Sequence, residues 1–175
     1  MKKYYIFIDC QNDFIKGVLS TEESKAIIPN LQKRMAELED EGGWNIIFTR
    51  DTHKANYLNT LEGKHLPVEH CLKGTPGWCV IDEIEDVSCV HINKDTFGYL
   101  NWDAWIDPDT TAIELAGVCT DICLVSNALI LKALYPEAII AVDAQCCAGV
   151  TPEKHRAALE VMKSCQIEVY NDWVV

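Results

Sequence analysis

Apolar residues in this chain fall into short runs, with stretches of helical period between them. Residues 4–8, Tyr-Tyr-Ile-Phe-Ile, form an unbroken apolar run that stops at Asp9, the pattern of a strand covered on both faces. Ile27, Leu31, Met35 and Leu38 recur at helical spacing and predict an amphipathic helix over 25–41, closed by Gly42-Gly43. Residues 44–49, 88–92, 111–116 and 138–142 read as further strands, with a short sixth at 167–170. Helices are expected over 122–134 and from Thr151-Pro152-Glu153 to about Ser164. Strands alternating with helices predict an α/β domain with a central, mostly parallel six-stranded sheet and helices on both faces.

Sheets of this kind bind ligands beyond the carboxyl ends of their strands, where the strand order reverses. Asp9, Asp51, Lys94 and Cys123 all lie at or just past predicted strand ends. With the order 3-2-1-4-5-6, Asp9 after strand one and Cys123 after strand four would flank the reversal. Residues 50–77 show scattered Gly and Pro and no period. A loop that long inside a compact domain points to function.

The 175 residues suffice for one domain, 1–175, with a sizeable core. The high apolar content argues against disorder and suggests a homo-oligomer. No apolar run is long enough to span a bilayer. The opening run ends at Asp9 without a small-residue cleavage site, so it reads as an edge of the fold rather than a signal peptide. A formal charge of −12 argues against a nucleic-acid partner. Nine cysteines, an odd number without a C-x-x-C pair, argue against a disulfide framework or a zinc ribbon. They read as small buried thiols of a cytoplasmic protein, with Cys89, Cys146, Cys147 and Cys165 all in apolar surroundings. Trp78, Trp102, Trp105 and Trp173 show no period that would mark a binding surface.

Cys123 is expected in the first turn of a helix, where free N–H groups and the helix dipole stabilise a thiolate and can hold an oxyanion. Asp9 can take the thiol proton, and Lys94 can lower the thiol pKa and orient the carboxylate. The N–H groups of Cys119 and Cys123 could then bind the oxyanion. Each residue also has a plainer reading: Asp9 as a loop cap, Lys94 as a surface charge, Cys123 as core packing. Asp51 and His53, with His70 further along the same loop, offer oxygen and imidazole ligands for a divalent metal, and Glu62 could add a carboxylate directly or through water. His53 and His70 could equally be loop hydrogen-bonders. His65 reads as exposed, and His91 and His155 as structural. Asp13 and Phe14 could line the mouth of the site, and Tyr99 with Trp102 could wall a flat ligand, although both could simply pack.

Four segments together resemble the nicotinamidase/isochorismatase-like cysteine hydrolase superfamily: Ile8-Asp9-Cys10-Gln11-Asn12-Asp13-Phe14, Thr49-Arg50-Asp51-Thr52-His53, His70-Cys71-Leu72-Lys73-Gly74-Thr75-Pro76-Gly77, and Gly117-Val118-Cys119-Thr120-Asp121-Ile122-Cys123. They occur in the family's order, with Lys94 where its lysine is expected. The resemblance implies a Rossmann-like three-layer domain, an Asp9-Lys94-Cys123 triad and a cis peptide between Val118 and Cys119. It also implies one divalent metal, zinc first with iron or manganese as alternatives, held by Asp51, His53 and His70 with Glu62 as a fourth. Phe14, Tyr99 and Val118 are the expected pocket residues. The implied activity is thiol-dependent hydrolysis of a small amide, nicotinamide to nicotinate and ammonia, through a thioester. Another small amide or a ureido compound is the alternative substrate. A catalytically silent metal-binding or interaction protein is the alternative of another class. The nicotinamidase branch carries an aromatic residue and prolines just before the ligand histidine, where this chain has Leu66-Pro67-Val68-Glu69.

Overall fold

In the computed structural model, which describes residues 2–172, six strands form one sheet in the order β3-β2-β1-β4-β5-β6. Every neighbouring pair is parallel, so the sheet is parallel throughout rather than mostly so. Trp173 lies outside the described residues, as do Met1 and the last two positions of the chain.

The central strand β1 (Lys2–Ile8) buries Tyr5, Ile6, Phe7 and Ile8 completely. It pairs with β2 (Trp44–Asp51) on one side and β4 (Thr110–Val118) on the other. Beyond them lie β3 (Val90–Lys94), β5 (Ile139–Ala148) and β6 (Glu168–Tyr170). The crossovers run one way from β1 to β2 and the other way from β4 to β5 and β6. Right-handed connections in opposite directions put the linking helices on opposite faces of the sheet.

The predicted helix over 25–41 is in fact two: α2 (Glu22–Ala26) and α3 (Ile28–Glu41), after a short α1 (Asn12–Ile15). Pro29 explains the break, since it lacks an N–H and its ring excludes the carbonyl four residues back. Thr21 and Ser24 close a capping box on α2, and Gly42 (φ 62°) ends α3. The long segment after β2 contains one short helix, α4 (Leu61–His65), capped by Thr60. Between β4 and β5 runs α5 (Val125–Leu134), and α6 (Pro152–Ser164) follows β5 with Thr151 as its cap.

Strand β5 continues six residues past its expected end. Its second half, Asp143-Ala144-Gln145-Cys146-Cys147-Ala148, contains two polar residues that hide the strand pattern. Asp143 is nonetheless buried, accepting from Gln145 N and Asn171 Nδ2. The nine cysteines are all free thiols. Cys10, Cys146 and Cys147 are buried as expected, but Cys165 is exposed because it falls just past the end of α6, and Cys89 is only half-buried. Among the described residues no helix is long and apolar enough to cross a membrane.

Candidate active site

Strand register brings the charged residues together. Lys94 ends β3 directly opposite Asp51, which ends β2. Asp9 follows the last residue of β1, in a left-handed conformation (φ 49°) that aspartate tolerates better than most residues. Gly117, near the end of β4, has φ 125°, and a Cβ there would overlap the carbonyl of Ile8. Its lack of a side chain lets β4 approach β1 and brings Cys119 to Cys123 over the strand ends.

Lys94 Nζ lies 2.6 Å from Asp9 Oδ2, 3.5 Å from Cys123 Sγ and 3.8 Å from Asp51 Oδ1, with Asp9, Lys94 and Cys123 all buried. Thr49 Oγ1 donates to Asp9 Oδ1 at 2.7 Å and accepts from Asp9 N at 3.1 Å. One carboxylate oxygen is thus fixed by a hydroxyl, and the other meets the ammonium. Burial alone would lower the Lys94 pKa, but Asp9, Cys123 and Asp51 outweigh it and hold the ammonium charged. Burial lifts the Asp9 carboxyl above its ordinary value despite Lys94, toward a range where it can both accept and return a proton.

Cys123 sits in a π-helical turn, Thr120–Leu124, ahead of α5, not in the first turn of a regular helix. Burial, reinforced by Asp9 and opposed by Lys94, pushes its thiol well above the usual value. The Asp9 carboxyl, held by the same ammonium, stands beside the thiol. Val118–Cys119 is a cis peptide, as the resemblance implies.

The four metal-ligand candidates also converge: one ligand atom each from Asp51, His53, Glu62 and His70 lies within 4.8 Å of the others. The long loop folds back on itself to do this. His53 N donates to Cys71 O (3.0 Å) and Lys73 N to His53 O (2.9 Å), setting His70 beside His53. Asp13 does not line the mouth. Its Oδ2 accepts from Cys71 N at 2.7 Å and so anchors the residue after His70. Gly77 leaves room for that carboxylate, since a Cβ there would overlap it. His70 Nδ1 lies 2.8 Å from Val68 O. With the proton on Nδ1, the lone pair of Nε2 faces the cluster. His53 Nε2 is buried, 2.9 Å from Asp51 Oδ2, yet has no partner in hydrogen-bonding geometry. Burial would raise the Asp51 carboxyl, but His53, His70 and Lys94 hold it below the usual range. Two imidazole lone pairs, a carboxylate kept ionised and a second carboxylate form a donor set that fits a zinc-like dication.

A cavity of about 360 Å³ opens over the thiol and this cluster. Phe14 and Val118 line it, as expected. Tyr99 does not, which corrects the sequence reading. Its ring packs edge-on against buried Trp102 and its hydroxyl accepts from Trp105 Nε1, while neighbouring Phe97 faces the cavity. Cys119 and exposed His65 also lie on the wall. His91 stacks on Phe48, and His155 Nδ1 lies 2.8 Å from Thr120 Oγ1, so both are structural. Sequence reasoning missed Gln11, Thr49 and Asn127. All three end up fully buried; only Asn127, a polar residue in the apolar run of its helix, offered a signal in the sequence.

Residues 3–171 match the Isochorismatase domain family. The nicotinamidase of Schizosaccharomyces pombe is 25% identical over 209 aligned residues, covering 95% of this chain and 92% of that protein. The zinc complex of Pyrococcus horikoshii pyrazinamidase superimposes with a TM-score of 0.85 at 23% identity, over 98% of this chain and 100% of that one. Yeast nicotinamidase bound to nicotinaldehyde gives 0.82 at 19% identity, over 97% and 100%. With the domain matched almost from end to end on this fold, the chain belongs to the isochorismatase-like hydrolase superfamily.

Proposed function

We propose that the protein is a metal-assisted thiol amidohydrolase acting on nicotinamide or a close aromatic carboxamide. The observation that carries this reading is Lys94, whose one ammonium meets the Asp9 carboxylate, the Cys123 thiol and the edge of the Asp51 cluster. The nicotinamidase and pyrazinamidase relatives support the same substrate class.

Asp9 removes the thiol proton while Lys94 keeps the carboxylate oriented. The Cys123 sulfur attacks the amide carbon, and the oxyanion is taken up by the N–H groups of Cys119 and Cys123. Asp9 returns its proton to the amide nitrogen, the C–N bond breaks and ammonia leaves a thioester. Asp9 then deprotonates water, which attacks the thioester; the C–S bond breaks, the acid departs and the proton returns to sulfur. Asp51, His53, His70 and Glu62 would hold a divalent ion beside the thiol. When bound, that ion supplies a Lewis-acidic point for a substrate lone pair.

The test is ammonia release from nicotinamide by the purified protein, before and after chelation. Release that stops on chelation and returns with zinc is the expected result. No release from a metal-loaded protein would overturn the substrate assignment, and an unreactive Cys123 would overturn the thiol mechanism as well.

A further inference from the structure

We infer that Asn127 is a positioning residue that fastens the loop after Lys94 to the nucleophile turn, so that substrate wall and thiol are set by one side chain; the inference rests on the thiol-amidase reading. Asn127 lies in α5 and is fully buried. Its Nδ2 donates to the Cys123 carbonyl at 2.8 Å and to the Phe97 carbonyl at 3.1 Å, and its Oδ1 accepts from Tyr99 N at 2.8 Å. The amide therefore spends both donor hydrogens and its acceptor on two segments that are otherwise remote in sequence.

Both segments matter to the site. Cys123 is the proposed nucleophile, and Phe97 lies on the cavity wall. Thr96, next to Phe97, accepts from Lys94 Nζ at 3.3 Å through its carbonyl. Its hydroxyl in turn donates to Gly98 O at 2.7 Å. The loop lies close against α5, since a Cβ on Gly98 would come within 2.5 Å of Ile130 Cδ1. Loss of the Asn127 amide frees the loop to lift and takes with it Phe97 and the carbonyl that helps aim Lys94 at Cys123. One of the three freed groups, the Cys123 carbonyl, is buried, so the segments re-settle rather than hold their places.

Asn127→Leu keeps the volume and removes all three bonds. Asn127→Ser is the gentler variant. A serine there can donate back to the Cys123 carbonyl, as Ser126 does to Ile122 O at 2.7 Å, but it cannot also hold the loop. The readouts are the rate of Cys123 alkylation by iodoacetamide per folded molecule, kcat and KM for nicotinamide, and Tm. In Asn127→Leu, alkylation and kcat are expected to fall about tenfold or more. Asn127→Ser is expected to lose less in alkylation and to show its main change in KM, through the loosened Phe97 wall. Asn30→Ala serves as the control. It breaks another asparagine tie, to Gln145 O at 2.8 Å, and should lower Tm without moving the other readouts.

Wild-type alkylation, kcat and KM in both variants, with only Tm reduced, would make Asn127 a packing residue and overturn the inference. Should the leucine variant not fold, an Asn127→Ser protein with unchanged alkylation and KM has the same force. A wild-type protein that neither releases ammonia nor alkylates at Cys123 would defeat the thiol-amidase reading itself. One that alkylates at Cys123 but leaves nicotinamide intact would still let the alkylation comparison decide the role of Asn127.

Discussion

Gln11 holds the backbone of Asp51 by both of its polar ends: Oε1 accepts from Asp51 N at 2.7 Å and Nε2 donates to Asp51 O at 2.9 Å. The same Nε2 reaches Trp78 O at 2.8 Å. A buried amide thus fixes the strand end that carries a carboxylate shared between Lys94 and the two imidazoles. Gln11→Leu leaves one N–H and two carbonyls without partners. It should destabilise the fold by about 3 kcal/mol or more, taking about 1–3 kcal/mol for each group so left. Zinc affinity should fall about 10–100-fold, the usual effect of losing a residue that orients a ligand. Denaturant unfolding and a zinc titration read the two effects separately. Asp51→Ala and His53→Ala should instead empty the site while the fold survives, and full metal content in either protein would remove that residue from the ligand set.

Replacing Cys123 by Ala deletes a sulfur that packs in the core beside Lys94. Ammonia release is expected to drop to background, while Tm moves by no more than a few degrees. Mass spectrometry of the wild-type protein, quenched during turnover, should show an acyl adduct on Cys123. Residual turnover in the alanine protein would mean that the nucleophile lies elsewhere.

Gly117→Ala probes the backbone rather than the chemistry. The position combines φ 125° with a Cβ site already filled by the Ile8 carbonyl. Both faults act on the contact between the two central strands. A loss of about 3 kcal/mol or more is expected from strain and displacement together. Measurement of the unfolding midpoint, or of the soluble yield where the protein does not accumulate, checks it.

His155 gives a pH dependence of stability. Burial lowers its pKa from 6.5, and its Nδ1 lies 2.8 Å from Thr120 Oγ1, where a neutral ring can accept the hydroxyl. The unfolded chain therefore takes up a proton at a higher pH than the folded one. The contribution of this histidine is complete above about pH 6.5 and is lost as the pH falls through the lower folded value. His155→Asn keeps an acceptor for Thr120 and cannot titrate. The Tm of the wild-type protein should drop more steeply between pH 7 and pH 5 than that of the variant, and parallel curves would refute the assignment.

The strand run of residues 4–8 and the Gly42-Gly43 stop were plain in the sequence because local pattern decides them. Asp9, Asp51, Lys94 and Cys123 were legible for a related reason: parallel strands bring their carboxyl ends to one edge wherever the register falls. The break at Pro29 was misjudged because the apolar period runs through it unchanged, although proline chemistry forbids a continuous helix. The second half of β5 was hidden because Asp143 and Gln145 interrupt the apolar run, and the buried Asp143 has its partner 28 residues away. Tyr99 and Phe97 stand two positions apart, and Tyr99 is drawn away from the cavity by Trp102 and Trp105. Such side-chain choices depend on particular contacts, which periodicity does not record.

The excursion between β2 and β3 pairs with itself through His53 and Leu72 and is pinned from outside by Asp13 and Gln11. It contributes His53, Glu62 and His70, while Asp9, Lys94 and Cys123 come from the sheet edge. The two halves of the site meet at Asp51. This division makes the excursion separable in kind from the sheet edge. A graft that keeps its ties to residues 10–16 and the Asp51 junction should recast which molecules enter the cavity while the Asp9, Lys94 and Cys123 geometry stays as it is.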